Sequence, residues 1–192
     1  MTGTNDYSPS RVAARLAIQD VEFRWCRAVD RLDYASMADI FHPDAYDDHG
    51  PYRGDVPGMI EWLRNRHRFI SFSMHQVSNM LIEFADEDNA LVELYLTVTQ
   101  RYAPGAAGSL SQLVDTPFRE DRNVDLVSRS RYVDRMQRRD GEWKVLRRTL
   151  VQDWKQITEL ESAPANSPGA LLGQRDLDDF IFRERRAMGL SH

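Results

Sequence analysis

Two residues of this chain have the types that a proton-transfer pair needs, Asp30 and His75. Asp30 stands in WCRAVDRLDY, where the neighbouring stripe holds Phe23 and Cys26, seven and four residues back. A carboxylate bordered by apolar positions loses hydration, which raises its pKa unless a partner compensates. The plainer alternative is an exposed helix residue bonded to Arg27 or Arg31, worth little. His75 shares a strand face with Val77 and Leu81. A lone histidine there is ordinarily a core residue. With a carboxylate opposite, one ring nitrogen donates to it and the other is left to act as a base. The sequence does not show whether the two side chains meet.

Three further groups are candidates. Arg148 alternates with Leu146, Leu150 and Trp154, a face from which a guanidinium could hold a carbonyl, a phenolate or a leaving group; otherwise it is an exposed strand arginine. Tyr46, Asp47, Asp48 and His49 form a polar corner from which Tyr46 or His49 could present a donor. With His42 this corner hints at a metal, but it has no helical HExxH and no carboxylate-rich Ca²⁺ loop. Cys26 is the single cysteine, so an internal disulfide and every thiolate cluster are excluded, and it reads as a small buried residue rather than a nucleophile. Tyr95, Tyr102, Trp143 and Trp154 read as core. Phosphate-cradling glycine loops, the GxSxG elbow and the dinucleotide fingerprint are missing from the sequence.

The elements that must position these residues follow from periodicity. Leu16, Val21, Trp25, Val29 and Leu32 recur near one helical turn, with Ser8 and Pro9 suited to open the helix. A short helix is predicted over 34–41, ended by Pro43, and a third over 56–72, opened by Asp55 and Pro57. From residue 73 the pattern alternates: strands over 73–85, 90–102, 126–138 and 142–154, with turns at 86–89 and Asp140–Gly141. The stretch 103–125 is a loop long enough to be a lid or contact segment. A Pro/Ala/Gly-rich link over 162–175 leads to a charged terminal helix with Leu177, Ile181, Glu184 and Met188 on one face. Helices first and a meander of long strands after give an α+β domain, whose curved sheet leaves a concave mouth for a ligand.

Bulk properties narrow the partners. Basic residues number 25 and acidic ones 30, interspersed, for a formal charge of −5 without a basic stripe. Nucleic acid is therefore not expected. No apolar run approaches the ~20 residues of a spanning helix, and the polar start MTGTNDYSPS lacks a signal core, so a cytoplasmic protein is expected.

The segments AIQDVEFRWCRAVDRLDYASMADIFHPDAYDDHGPYRG, SMHQVSNMLIEF and YVDRMQRRDGEWKVLRRTLVQDW, within about residues 10–156, resemble the SnoaL-like branch of the nuclear-transport-factor-2-like superfamily. That branch includes scytalone dehydratase, hexachlorocyclohexane dehydrochlorinase and bile-acid dehydratase. The resemblance implies a cone-shaped curved antiparallel sheet closed by N-terminal helices, a cystatin-like α+β barrel. It would form one domain over 1–192, with residues 157–192 as an extension covering the cone or a neighbouring subunit. A homo-oligomer is implied, a trimer before a dimer. Asp30 matches the aspartate at the end of the first helix, His75 the strand histidine that takes the proton, and Arg148 the arginine bordering the leaving group. Where some dehydratases hold a tyrosine this chain has Trp25, so Tyr34 or Tyr46 would have to substitute. Trp25, Tyr34, Tyr46 and His49 are thus the expected substrate-binding set. The implied activity is a lyase that needs no metal or organic cofactor. It would expel water, halide or formaldehyde from a hydrophobic, aromatic or polycyclic molecule, as in the catabolism of aromatic compounds. An isomerase or cyclase using the same pair, or a non-catalytic ligand-binding module, are the alternatives.

Overall fold

Helix α1 (Pro9–Asp30) buries Ile18, Val21, Trp25 and Val29 on one stripe, and proline at its first turn lacks an N–H the helix could not have used. The computed structural model describes residues 7–115, 117–162 and 166–190. Leu16, counted above in that stripe, is 61% exposed, because the core-facing period runs through Ile18 instead. Leu32, in a left-handed conformation at φ 53°, turns the chain into α2 (Tyr34–Asp39). Asp33 caps α2 by accepting from the Ser36 backbone N–H at 3.1 Å. Asp55 caps α3 (Val56–His67) in the same way through the Gly58 N–H at 2.9 Å.

Residues 42–54, whose composition suits a short strand or a turn-rich corner, fall mostly in two strands, β1 (Phe41–Asp48) and β2 (Arg53–Asp55). Helix α3 ends at His67 rather than 72, since β3 (Ile70–Phe84) begins there and pairs with β4 (Asn89–Tyr102). Strands β5 (Asn123–Arg139) and β6 (Glu142–Leu160) are joined at Asp140–Gly141, both at positive φ as a tight hairpin demands. The strand order is β2-β1-β6-β5-β4-β3. The expected α+β fold, a curved sheet covered by N-terminal helices, stands in the structure. Within it one pair is not antiparallel, since β1 runs parallel to β6, and β2 and β3 do not pair with each other, so the sheet stays open.

Helix α1 packs against both β3 and β6, three strand positions apart, so the sheet wraps around it. Bulges produce that bend and reset which side chains face inward. One lies between Val77 and Met80, one between Val145 and Arg147, and one between Gln152 and Trp154. They correct three expected faces. Leu81 is 57% exposed and does not share the inner face with His75; Leu146 sits at the bulge itself; and Trp154 turns outward over Arg129.

The stretch 103–125 is not structureless: α4 (Ala107–Leu110) lies in it, and Ala106 and Leu110 form a second small core with Ile70, Tyr102, Val124 and Leu126. After β6 the chain folds back to α5 (Phe180–Ala187), anchored by Phe182 and by an Arg31–Asp179 ion pair at 3.2 Å. Leu177 lies before that helix and Met188 caps its end, both exposed like Ile181, and Phe182 is its buried residue. Among the described residues no helix is long and apolar enough to cross a membrane.

Candidate active site

The concave side of the sheet and α1 line a partly open cavity of about 90 Å³. Its apolar walls include Val29, Leu63, Leu96, Val98, Leu126 and Leu150, and three histidines, His49, His67 and His75, line it.

Asp30 ends α1 and reaches β3. Its Oδ1 accepts from His75 Nδ1 at 2.7 Å and from the Ser73 hydroxyl at 2.8 Å, and its Oδ2 accepts the His75 backbone N–H at 2.8 Å. Burial pushes the carboxyl's pKa up, but the His75 ring, the His75 N–H and Ser73 outweigh it and hold it below the ordinary value. They do so against the negative end of the α1 dipole. An ionised carboxylate only accepts, so Nδ1 carries the hydrogen and Nε2 is the ring nitrogen left for other chemistry. Phe23, expected beside Asp30, is 54% exposed; Trp25 and Val29 supply the apolar border.

A second histidine–carboxylate pair lies on β1 and the turn after it. His49 Nδ1 donates to Asp47 Oδ1 at 2.5 Å, and the Tyr132 hydroxyl donates to His49 Nε2 at 3.4 Å while accepting Trp25 Nε1–H at 3.3 Å. Burial raises the Tyr132 pKa, so the phenol remains a donor. Tyr132→Phe is expected to leave the buried Trp25 N–H without its acceptor and to cost about 1–3 kcal/mol; urea unfolding reads that loss.

Three site expectations are corrected by position. Tyr46 is 39% exposed and lies under Arg147 on the outer side of β1, because alternation along the strand sends Ala45 and Asp47 inward. Tyr34 stacks beneath Arg64, 4.2 Å away, and does not line the cavity. Arg148 lies behind the cavity wall, fully buried under the Tyr132 ring at 4.0 Å, with its Nη2 donating to Glu22 and Asp134 at 2.5 Å each. It is neither an exposed strand arginine nor a group that reaches a ligand here. Trp25 and His49 do line the cavity. Burial, then Glu22 and Asp30, push the half-buried Cys26 thiol up to about 12, in keeping with an inert residue.

Several residues of the inner face went unnoticed in the sequence. Ser128, Ser130 and Tyr132 line the cavity from the inward positions of β5, and Asp134 follows them behind the wall, on Arg148. Polar residues at successive inward positions of an apolar strand face are the signal that was available. Arg66 and His67 end α3 and also face the cavity. Arg175 was hidden at the end of the Pro/Ala/Gly-rich link. It donates to the carbonyls of Val29, Asp30 and Ile70, satisfying the open end of α1 and fixing the backbone that carries Asp30.

With this geometry in place, comparison with known proteins places the chain. A family model for the SnoaL-like domain matches residues 10–149. The chain belongs to the SnoaL-like family. Solved structures are similar in fold. A scytalone dehydratase-like protein of Novosphingobium aromaticivorans is 21% identical with a TM-score of 0.61, over 84% of this chain and 97% of that one. The hexachlorocyclohexane dehydrochlorinase LinA-type3 of Novosphingobium barchaimii is 20% identical with a TM-score of 0.64, over 83% and 98%. A protein of unknown function from Nostoc punctiforme with a cystatin-like fold is 20% identical with a TM-score of 0.55, over 72% and 90%. No curated protein matches the sequence. The SnoaL-like fold thus includes a dehydrochlorinase among its neighbours, while at these identities the likeness is one of fold.

Proposed function

We propose that this SnoaL-like protein is a lyase that eliminates a small group from a hydrophobic, aryl-sized molecule, with His75 as the base. The observation that carries the reading is the Asp30–His75 pair at 2.7 Å, with His75 on the wall of the cavity beside its apolar residues. Asp30 holds the ring so that Nε2 can accept a proton from a substrate carbon or hydroxyl. As the C–H or O–H bond breaks, its electron pair forms the new double bond and the bond to the leaving group breaks on the other side. Tyr132 would turn its single O–H from His49 Nε2, 3.4 Å away, towards the departing oxygen or halide and give it a hydrogen bond or proton. Exchange with water then returns the proton held by His75 and restores the one given up. Catalysis needs no further group for this step, because positioned acid–base residues typically supply ~10²–10⁴-fold.

The test is to incubate the protein with aryl compounds carrying a β-hydroxyl, a β-halide or a hydroxymethyl group and to weigh the products. A product lighter by water, hydrogen halide or formaldehyde is expected. A product of unchanged mass would make the protein an isomerase or cyclase, and no turnover with ligand still bound would favour a binding module. Exposed Phe72, Met74, Leu81, Leu91, Tyr95 and Trp154 on the outer sheet face are in keeping with a homo-oligomer, whose size sedimentation would measure.

A further inference from the structure

We propose that the Arg66–His67 end of the cavity, with Lys155 beside it, binds a carboxylate of the substrate, so that the pocket selects aryl acids over neutral molecules. This rests on the reading of the cavity as a substrate pocket and adds the class of molecule it takes.

The first support is a surplus of donors. His67 is 1% exposed, and both its ring nitrogens face guanidinium N–H groups, Arg66 Nη2 at 2.8 Å and Arg175 Nη2 at 3.2 Å. A neutral imidazole has one acceptor nitrogen, so one of these two contacts sets donor against donor. Arg66, 9% exposed, also keeps a buried Nε without a partner. The cluster is short of acceptors, and a carboxylate supplies up to four acceptor sites.

The second support is uncompensated charge. Among the described residues no carboxylate lies within ion-pair distance of Arg66, Arg175 or Lys155, and none lines the cavity. Burial, followed by the fields of Arg66 and Arg175, holds His67 well below its ordinary pKa, so the ring itself does not add to the charge. A buried guanidinium without a counter-ion is costly, and a bound anion relieves that cost. That such a cavity lies in a chain of net charge −5 makes the local sign the more telling.

The third support is connection to the dyad. Arg66 donates to the Tyr102 hydroxyl at 2.8 Å, Tyr102 to Gln100 at 3.1 Å, Gln100 to Ser73 at 3.5 Å and Ser73 to Asp30 at 2.8 Å. Every donor points the same way, from the cation to the catalytic carboxylate. At the other side Arg66 stacks over Trp62, Trp62 donates to Gln112, and Lys155 donates to the carbonyl of the adjacent Leu113. A carboxylate at Arg66 would therefore lie between the α4 segment and His75, with its aryl body against the apolar wall.

The experiment compares 2-naphthoate with 2-naphthylmethanol, matched in size, by calorimetric titration at pH 8. In the wild type the acid is expected to bind roughly ten- to a hundredfold tighter, less so as salt rises. Arg66→Gln should reduce that preference to about twofold while leaving the alcohol unchanged. Equal binding of acid and alcohol by the wild type, or a preference surviving in Arg66→Gln, overturns the proposal. Should Arg66→Gln not fold, Lys155→Gln decides: a several-fold loss for the acid alone supports the subsite, and no change overturns it. His75→Gln should keep the full preference. Loss of the preference with intact His75-dependent turnover removes only the subsite; His75-independent turnover with the preference intact removes only the lyase reading.

Discussion

His75→Gln should lower turnover by about 10²–10⁴-fold while changing stability by no more than about 1 kcal/mol. Glutamine can still donate to Asp30, but its amide has no nitrogen able to accept a proton from a substrate. The fold has little reason to object, because Ser73 and the His75 backbone N–H continue to hold the carboxylate whichever side chain stands at 75. His75→Ala goes further by opening space for a free base, so added imidazole should restore part of its rate, a rescue that a merely structural histidine would not permit. The Asp30 partner gives a separate signature. Its folded pKa lies below the ordinary 3.8, so its contribution to stability is present above that value and is lost as pH falls through the lowered one. Acid unfolding should accordingly be steeper in the wild type than in Asp30→Asn. Full turnover by His75→Gln would place the base elsewhere in the cavity.

How much of this could be read from the sequence depends on whether the signal was local. The α1 stripe, the Asp55 and Pro57 start of α3 and the Asp140–Gly141 turn are local, and they stand in the structure, the stripe without Leu16 and Leu32. The parallel pairing of β1 with β6 is not: Tyr46 opposes Arg147 across about a hundred residues, and no short-range pattern encodes it. The bulges were invisible for the same reason. Alternation places Leu146, Arg148 and Leu150 on one face, but one extra residue in β6 changes the parity and sends Arg148 into the core without Leu146. Within the candidate site, Asp30 and His75 stood out by type, whereas Arg175 reaches Asp30 from the far end of the chain through its backbone carbonyl, a contact that depends on no pattern.

Arg148→Met should be the most destabilising of these single changes, by about 3–5 kcal/mol, because it leaves the Asp134 carboxylate buried with no counter-ion beside the Glu22 carboxyl. Glu22, Asp134 and Arg148 are each without exposed surface, and one guanidinium faces both acids. Burial is the main force on Glu22, with Asp134 adding to it and Arg148 opposing it, and together they raise its pKa from 4.5 to about 8. At neutral pH Glu22 therefore holds a proton, Asp134 and Arg148 form the ion pair, and the cluster is electrically neutral. The folded state binds that proton where the unfolded chain does not. Its stabilising contribution is complete below about pH 4.5 and is lost as pH rises through about 8. Unfolding by urea at pH 6 and pH 9 should show the wild type weaker at the higher pH and Glu22→Gln nearly indifferent to it. A triple change, Glu22→Leu with Asp134→Leu and Arg148→Met, should recover much of what Arg148→Met loses, since apolar groups of similar volume need no compensation. The contrary result is equally clear: an Arg148→Met protein as stable as the wild type but slow in turnover would return Arg148 to the leaving group. The buried triad argues for the other outcome, in which Arg148 acts on the reaction only by holding Tyr132 and Trp25 in place from behind.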